Sequence, residues 1–428
     1  MQMLTTYLGL LRRLMKRWLR DKNILGGYMT LITKKYYDSS ECIWIEEKNT
    51  DGSENENFEP NIKGKLKSAL QMPNIMVLAG SGTSLGDIVK GPRMWDLWEA
   101  CTTNDMLTIA NECFSESGFA SGLESNQNIE ICLSHCEAYL QVGASIEKTT
   151  LFIKKCKELI LEKCRFIKNK DTQLVGHKEF IRKLARRKSK DPRVKLFTTN
   201  YDTCFEDAAG LLGITVIDGF SFSMPRIYDA RFFDMDIVRR NTTSSSTNTH
   251  YLEGVYQLYK LHGSTNWSRY ETSPYIIKQA ENVKAEDSCM IFPAKGKYQQ
   301  SYIQPHLELI ARFSQSLREP NTCLIIAGFG FNDDHLSEPI LSAILSNPHL
   351  KVIIVSPSIE NDFDAIPPKT SKYWKIFKKI ADDRKNDEII FINCDFQQFS
   401  SLIPDLTALS PAENLHENMK KLFGGTHA

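Results

Sequence analysis

Residues 75–84 are Ile-Met-Val-Leu-Ala-Gly-Ser-Gly-Thr-Ser, and this stretch decides the fold of the 428-residue chain. Its first half, Ile75–Ala79, is an unbroken apolar run, as expected of a parallel strand that is buried on both faces. Its second half, Gly80–Ser84, is a turn of small residues that lets backbone N–H groups approach a pyrophosphate closely. Such a turn is weak evidence by itself, because many small-residue turns after strands bind no ligand.

Further apolar runs of the same kind recur along the chain. They lie at Val194–Phe197, Cys323–Ala327, Val352–Val355 and Ile389–Ile392, with a shorter candidate strand near Ser39–Ile45. Between these runs the sequence predicts helices, most of them from apolar residues at three- and four-residue steps. The helices cover Met94–Cys101, Asn128–Val142, Lys148–Phe166, Glu179–Arg187, His335–Leu345 and Asp395–Ile403. The alternation indicates an α/β fold, a Rossmann-like parallel sheet with helices on both faces.

The chain divides into an N-terminal extension over residues 1–70, a main domain over 71–405 and a C-terminal tail over 406–428. Within the main domain, residues 111–190 are mostly helical and interrupt the series of strands, so we interpret them as a helical insertion. Loops are predicted at two polar stretches. They are the acidic stretch 48–61 and the Ser/Thr-rich stretch 239–250.

Residues 1–35 are strongly basic and carry apolar residues at helical spacing. Their charges run through the apolar residues instead of preceding them, which argues against a secretory signal. A basic amphipathic helix either packs on its own domain or a neighbouring subunit, or lies on a membrane surface or an acidic partner.

Overall composition is that of an ordinary globular protein, with a formal net charge of +1. With so small a net charge, the chain as a whole has no electrostatic attraction to nucleic acid or to a membrane. No apolar run approaches the ~18–20 residues that a membrane span needs. The 11 cysteines include no Cys-x-x-Cys pair, and their odd number suggests a reducing, cytoplasmic compartment. Cys132 and Cys136 share a helix face, either as two buried apolar side chains or as metal ligands, and we favour the former.

Two polar motifs follow apolar stretches of the sequence. Thr199-Asn200-Tyr201-Asp202 comes directly after Val194–Phe197, and ligands of open parallel sheets bind beyond the carboxyl ends of the strands. The Asn200 amide can orient a ribose hydroxyl or a water. Asp202 either shares that task or caps the following helix. His262 follows the apolar stretch Val255–Leu261, and it is either a base that works near neutral pH or a structural histidine tied to backbone.

A fourth motif, Gly328-Phe-Gly-Phe-Asn-Asp333, follows the run Cys323–Ala327. Its two glycines permit a tight turn against a ribose or a phosphate, although an ordinary strand-to-helix turn has the same composition. Ser356 ends the next strand, where an adenosine is often held. The first turn also lacks the full Gly-x-Gly-x-x-Gly pattern, which counts against a dehydrogenase.

In their order, these motifs resemble the sirtuin-like NAD-binding family. Its signatures Gly-Ala-Gly-x-Ser, Thr-Gln-Asn-Ile-Asp and His-Gly correspond to sequence between residues 72 and 360. The resemblance implies that Asn200 lies at the nicotinamide ribose and that His262 is the catalytic base. Asp87 would stand near the carboxamide, although the Asp-Phe-Arg sequence expected there is missing. The predicted NAD-binding residues are Ala79, Gly80, Ser81, Gly82, Thr83, Ser84, Asp87, Thr199, Asp202, Gly328, Gly330, Asn332 and Ser356.

The chain also departs from the protein deacylases of that family. Deacylases carry two Cys-x-x-Cys pairs after the His-Gly motif, whereas this chain has only Cys289 and Cys323 between His262 and Ser356, so we expect no zinc. The Phe-Gly-Phe-Asn-Asp turn replaces their Gly-Thr-Ser turn. Both departures resemble the bacterial sirtuin-like branch whose members hydrolyse NAD as antiviral effectors. The resemblance therefore implies an NAD hydrolase, with NAD as its substrate.

The same resemblance implies partners. Some members of the branch carry a sensor domain after the enzyme, and the residues beyond about 360 are too few for one. We therefore expect a homo-oligomer controlled by a HerA-type hexameric ATPase, with no membrane and no direct nucleic-acid contact. The alternatives are a deacylase that works without zinc and a non-catalytic module that binds NAD or ADP-ribose. A nuclease is less favoured, because no carboxylate cluster has metal-binding spacing.

Overall fold

A mostly parallel sheet of nine strands organises the chain. The computed structural model describes residues 32–187, 191–239, 250–270, 273–293, 304–365 and 370–406. The strands in these ranges are β1 Lys35–Asp38, β2 Ile43–Glu46, β3 Asn74–Ala79, β4 Val194–Thr198, β5 Thr215–Ile217, β6 Val238–Arg239, β7 His250–Tyr251, β8 Val255–Lys260, β9 Gly263–Tyr270, β10 Ser273–Gln279, β11 Ser288–Met290, β12 Thr322–Ala327, β13 Leu350–Val355 and β14 Ile389–Asn393.

The large sheet has the strand order β2-β1-β14-β13-β12-β3-β4-β8-β5. Its strands from β14 to β5 pair in parallel, which confirms the predicted Rossmann-like sheet. At one end of the sheet, β1 pairs antiparallel with β14 and with the edge strand β2, and the sequence did not predict this arrangement. Because β1 is only Lys-Tyr-Tyr-Asp, it lacks the apolar run that reveals the buried strands. Strands β9, β10 and β11 form a separate small antiparallel sheet.

Helices cover both faces of the large sheet. The helices of the described residues are α1 Phe58–Leu70, α2 Met94–Thr102, α3 Leu107–Ser117, α4 Ile129–Val142, α5 Glu147–Lys163, α6 Lys170–Gln173, α7 Val175–Ala185, α8 Cys204–Leu212, α9 His306–Ser316, α10 Asp334–Ser346, α11 Ile359–Asp364, α12 Lys372–Arg384 and α13 Phe396–Leu402. Helices α1, α7, α8 and α13 bury apolar side chains on one face of the sheet. Helices α9 to α12 bury apolar side chains on the other face. Both faces offer apolar side chains, because successive residues of a strand point to opposite sides of the sheet.

A third apolar core lies among α2, α3, α4 and α5 and includes Met290 and Phe292. This helical unit differs in extent from the predicted insertion over 111–190. It begins earlier, with α2, because Leu97 and Trp98 pack into its core. It ends before α7, whose Phe180 joins the core of the sheet instead.

The predicted acidic loop over 48–61 is shorter in the structure, because α1 begins at Phe58. Three other predictions lie wholly or mostly outside the described residues. They are the basic helix over 1–35, the polar loop over 239–250 and the tail over 406–428. Among the helices of the described ranges, none is long and apolar enough to cross a membrane.

Candidate active site

Five neighbouring parallel strands end in one row across the sheet. Lys260 pairs with Thr198, Thr198 with Ala79, Ala79 with Ala327, and Ala327 with Val355. The motifs predicted from the sequence follow directly on this row. The row also contains a topological switch point, since the chain continues from β3 to β4 on one side and later returns to β12 on the other. Open α/β sheets bind ligands at such a point.

The glycines of the first and fourth motifs bring two turns into backbone contact. A Cβ atom on Gly80 would lie 2.5 Å from the Gly328 carbonyl oxygen, and one on Gly82 would lie 2.6 Å from the Gly328 Cα. The Gly82 N–H donates to the Gly328 carbonyl at 2.9 Å. Gly328 itself has a φ of +62°, which L side chains rarely adopt. These positions therefore need glycine for packing, whatever they bind.

The same turn uses several of its own N–H groups. Those of Gly80 and Gly82 donate to the carbonyls of Ala327 and Gly328, and those of Thr83 and Ser84 donate to carbonyls within the turn. A phosphate cradle built from these four groups would require the turn to open. The phosphate contacts of this turn stay a prediction.

Hydrogen-bond logic fixes the orientation of the Asn200 amide. Its Nδ2 atom lies 3.0 Å from the hydroxyls of both Thr83 and Ser84. The Thr83 hydroxyl donates its single proton to the Gly80 carbonyl, and the Ser84 hydroxyl donates its own to Asp202 Oδ2. Both hydroxyls can therefore only accept from Asn200, so its NH₂ group faces them. Among the described residues, the carbonyl Oδ1 of this buried side chain has no hydrogen-bond donor, so it can accept from a ligand.

The Asp202 carboxylate accepts hydrogen bonds from two parts of the site, and its predicted role towards a ligand stays a prediction. Its Oδ2 accepts from Ser84 at 2.8 Å, and its Oδ1 accepts from the Cys204 N–H at 3.0 Å, at the start of α8. The carboxylate is 6% exposed. Asp202 therefore ties the start of the helix to the network that orients Asn200.

Lys260, for which the sequence predicts no role, supports this loop. The lysine is 2% exposed, and its Nζ atom donates to the Asp202 carbonyl and lies 3.1 Å from Glu206 Oε1. Burial raises the pKa of Glu206, although the Lys260 charge opposes that rise. The sequence could have indicated this role of Lys260 only through the presence of a lysine within the apolar stretch Val255–Leu261.

His262 is 3% exposed and faces a second histidine. The Nε2 atoms of His262 and His335 are 3.4 Å apart, with ring centroids separated by 5.5 Å. His335 is the second residue of α10 and is partly exposed. The sequence predicts His335 at the start of a helix and indicates no role for it at the site. Its position directly after the fourth motif could have indicated that it lies at the site.

The remaining predicted residues lie around this row. Gly330 and Asn332 are exposed in the turn after β12, whereas Phe331 between them is fully buried. Ser356 lies 3.1 Å from Ser358 through their hydroxyl oxygens. Thr199 donates its N–H to the Ala79 carbonyl. The Asp87 side chain is exposed and stands outside the buried network around Asn200.

Cysteines are concentrated in the helical unit. Cys113, Cys132 and Cys136 are fully buried there, and the sulfurs of Cys113 and Cys136 are 3.6 Å apart. Within the part of the chain that the structure describes, no group of three or more His, Cys, Asp or Glu side chains could hold a metal ion.

Residues 194–376 match a family model described as a SIR2-like domain. The matched stretch contains Asn200, His262 and His335, and it begins after the Gly80–Ser84 turn. No curated protein matches the chain. The match supports a relationship to the sirtuin-like family, and it indicates NAD-related enzymatic activity in general terms.

Proposed function

We propose that this chain is an NAD glycohydrolase, which cleaves the nicotinamide–ribose bond of NAD to give nicotinamide and ADP-ribose. The observation that carries the proposal is the row of strand ends. Asn200 and His262 each follow by two residues a paired position, Thr198 and Lys260, at the carboxyl edge of the sheet. A polar amide and a buried imidazole thus share one edge beside the switch point, within a SIR2-like domain.

In the proposed reaction, the bond from ribose C1′ to the nicotinamide nitrogen breaks, and its electron pair neutralises the pyridinium ring. The transition state resembles an oxocarbenium ion, as in other glycoside cleavages. A water then bonds to C1′ and releases one proton. Asn200 Oδ1 would accept a hydrogen bond from that water or from a ribose hydroxyl, and His262 would take the proton.

The biological part of the proposal rests on the sequence departures from deacylases. We infer an antiphage effector that depletes NAD in the infected cell, in an abortive response. It would act as a homo-oligomer together with a HerA-type hexameric ATPase. All eleven cysteines are unpaired, which favours a reducing compartment such as the cytoplasm.

Two alternatives predict different behaviour. A deacylase would release nicotinamide only after an acylated peptide is added. A binding module would hold NAD or ADP-ribose without turnover, and replacement of His262 would leave its function intact.

The experiment measures nicotinamide release from NAD by the purified chain, with and without the ATPase. We expect Asn200→Ala and His262→Ala each to lower the rate by about 100-fold or more, the usual scale of an acid–base contribution. His349→Ala is the matched control, because His349 is exposed at the far end of α10. A wild-type chain that stays inactive under both conditions contradicts the proposal.

A further inference from the structure

The contact between His262 and His335 constrains where a proton can sit. Their Nε2 atoms lie 3.4 Å apart, so the two nitrogens can share one proton between them. Two protonated rings at this distance would repel each other. Asp333 and Asp334 precede His335 at the start of α10, and Asp334 Oδ1 accepts from the Tyr373 hydroxyl and lies 4.0 Å from Lys372 Nζ. Tyr201, whose pKa burial raises well above its usual value, stays a neutral neighbour of Asp333.

The two rings differ in their access to solvent. His262 is 3% exposed, whereas His335 is partly exposed in the first turn of α10. The pair therefore connects a buried imidazole with the protein surface.

Hydrolysis of NAD makes such a connection useful. Each turnover moves one proton from the attacking water onto the base, and the neutral nicotinamide does not carry it away. A buried base must lose this proton before the next turnover. An imidazole can accept a proton at one ring nitrogen while it releases another from the second nitrogen.

We propose that His335 is the proton exit of the site, a residue that acts through His262 and not on the substrate. The water proton binds one nitrogen of His262, the Nε2 proton of His262 passes to His335 Nε2, and His335 releases a proton to solvent. The inference rests on the proposed NAD hydrolysis, and it adds a second histidine to that reaction.

The test compares His335→Gln with the control His349→Gln in steady-state assays of nicotinamide release. Glutamine keeps a polar group near His262 but cannot carry a proton at neutral pH. We expect kcat to fall by about 100-fold with little change in KM for NAD, because proton transfer and not binding is impaired. Added imidazole buffer, a mobile proton carrier, should restore kcat of His335→Gln and leave His349→Gln unaffected. An unchanged kcat, or a loss that imidazole does not relieve, overturns the proposal.

A second readout separates this inference from the proposed function. If the wild type releases no nicotinamide, the proposed function fails. The sharing of a proton between His262 and His335 can still be tested by NMR titration of ¹⁵N-histidine-labelled protein. Loss of the shared proton should shift the apparent pKa of His262 in His335→Gln and in a second variant, His335→Asn. A His262 titration that matches wild type in both variants overturns the inference without reference to activity.

Discussion

At the scale of single residues, the site depends on which atoms carry hydrogen. The Asn200 NH₂ group donates to two hydroxyls that have already given their protons to Gly80 and Asp202. A carboxylate in the same place would have no hydrogen to offer these oxygens, and it would stand near the Asp202 carboxylate. The residue type at 200 is therefore more constrained than its size alone suggests.

We accordingly predict that Asn200→Asp destabilises the fold as well as the site. A buried polar group left unsatisfied lowers the free energy of unfolding by about 1–3 kcal/mol, and by more when it is charged. Urea denaturation at pH 7 measures the change. Asn386→Asp is the control, because Asn386 is exposed and its side chain acts as an acceptor that aspartate retains. Equal stability of the two variants would contradict the assigned amide orientation.

Phe331 shows how two residue-scale effects compete. Its φ of +56° is unfavourable for a side chain, yet the ring is fully buried, with its centroid 4.8 Å from that of Trp374 and 5.0 Å from that of Phe377. Loss of a buried phenylalanine destabilises by about 3–5 kcal/mol, whereas the left-handed conformation costs about 1–2 kcal/mol. Packing therefore outweighs backbone strain at this position.

At position 331 we expect the glycine variant to be more stable than the alanine variant, which is the reverse of the usual order. Both Phe331→Ala and Phe331→Gly should destabilise, but the glycine variant should be the more stable by about 1 kcal/mol, because glycine is free of the left-handed penalty. The buried Phe329, which has no positive φ, should give the usual order, with alanine more stable than glycine. Thermal unfolding of the four variants measures both orders. The same order at both positions would refute the role of backbone strain.

At the scale of elements, β3 and β12 are in contact through their backbone pairing and also through the turns that follow them. The turns that follow them touch through backbone atoms of Gly80, Gly82 and Gly328. A single Cβ atom would separate the turns at the switch point. This contact explains the glycines at 80, 82 and 328 without a ligand, whereas Gly330 takes no part in it.

Gly328→Ala should therefore be far more harmful than Gly330→Ala. A Cβ atom at 328 would lie 2.5 Å from the Thr83 backbone nitrogen and would adopt a positive φ, which alone costs about 1–2 kcal/mol. The nearest atom to a Cβ at 330 is the end of the Asn332 side chain, 3.2 Å away, which can move. Chemical denaturation compares the two variants, and similar losses of stability would argue against the close packing of the turns.

At the scale of the whole molecule, the sequence predicts those features that depend on neighbouring residues along the chain. Continuous apolar runs reveal the parallel strands, and polar residues after them locate Asn200 and His262 at one sheet edge. Periodicity shows that α7 has an apolar face, but it does not show that this face meets the sheet and not the helical unit. The His262–His335 contact and the support by Lys260 depend on strand register and helix placement, which no local pattern contains.

Two buried histidines also couple the fold to pH. Burial lowers the pKa of His177 and of His306 to about 4, from the ordinary 6.5. The rings of Phe205 and Phe396 lie against His177, and neither of its ring nitrogens has a hydrogen-bond partner among the described residues. His306 differs, because its Nδ1 atom lies 3.0 Å from the Leu261 carbonyl.

The sign of this coupling follows from proton binding. Between pH 6.5 and 4 the unfolded chain binds protons at these histidines and the folded chain does not, so stability falls as the pH is lowered. A shift from 6.5 to about 4 corresponds to about 3 kcal/mol for His177. The free energy of unfolding, measured by urea denaturation, should fall between pH 7 and 4. We predict that His177→Leu removes the share of this fall that His177 causes, because leucine fills the apolar site without titrating. His349→Leu should keep the wild-type slope, since His349 is exposed. If His177→Leu also kept that slope, His177 would not be the group that binds the proton on unfolding.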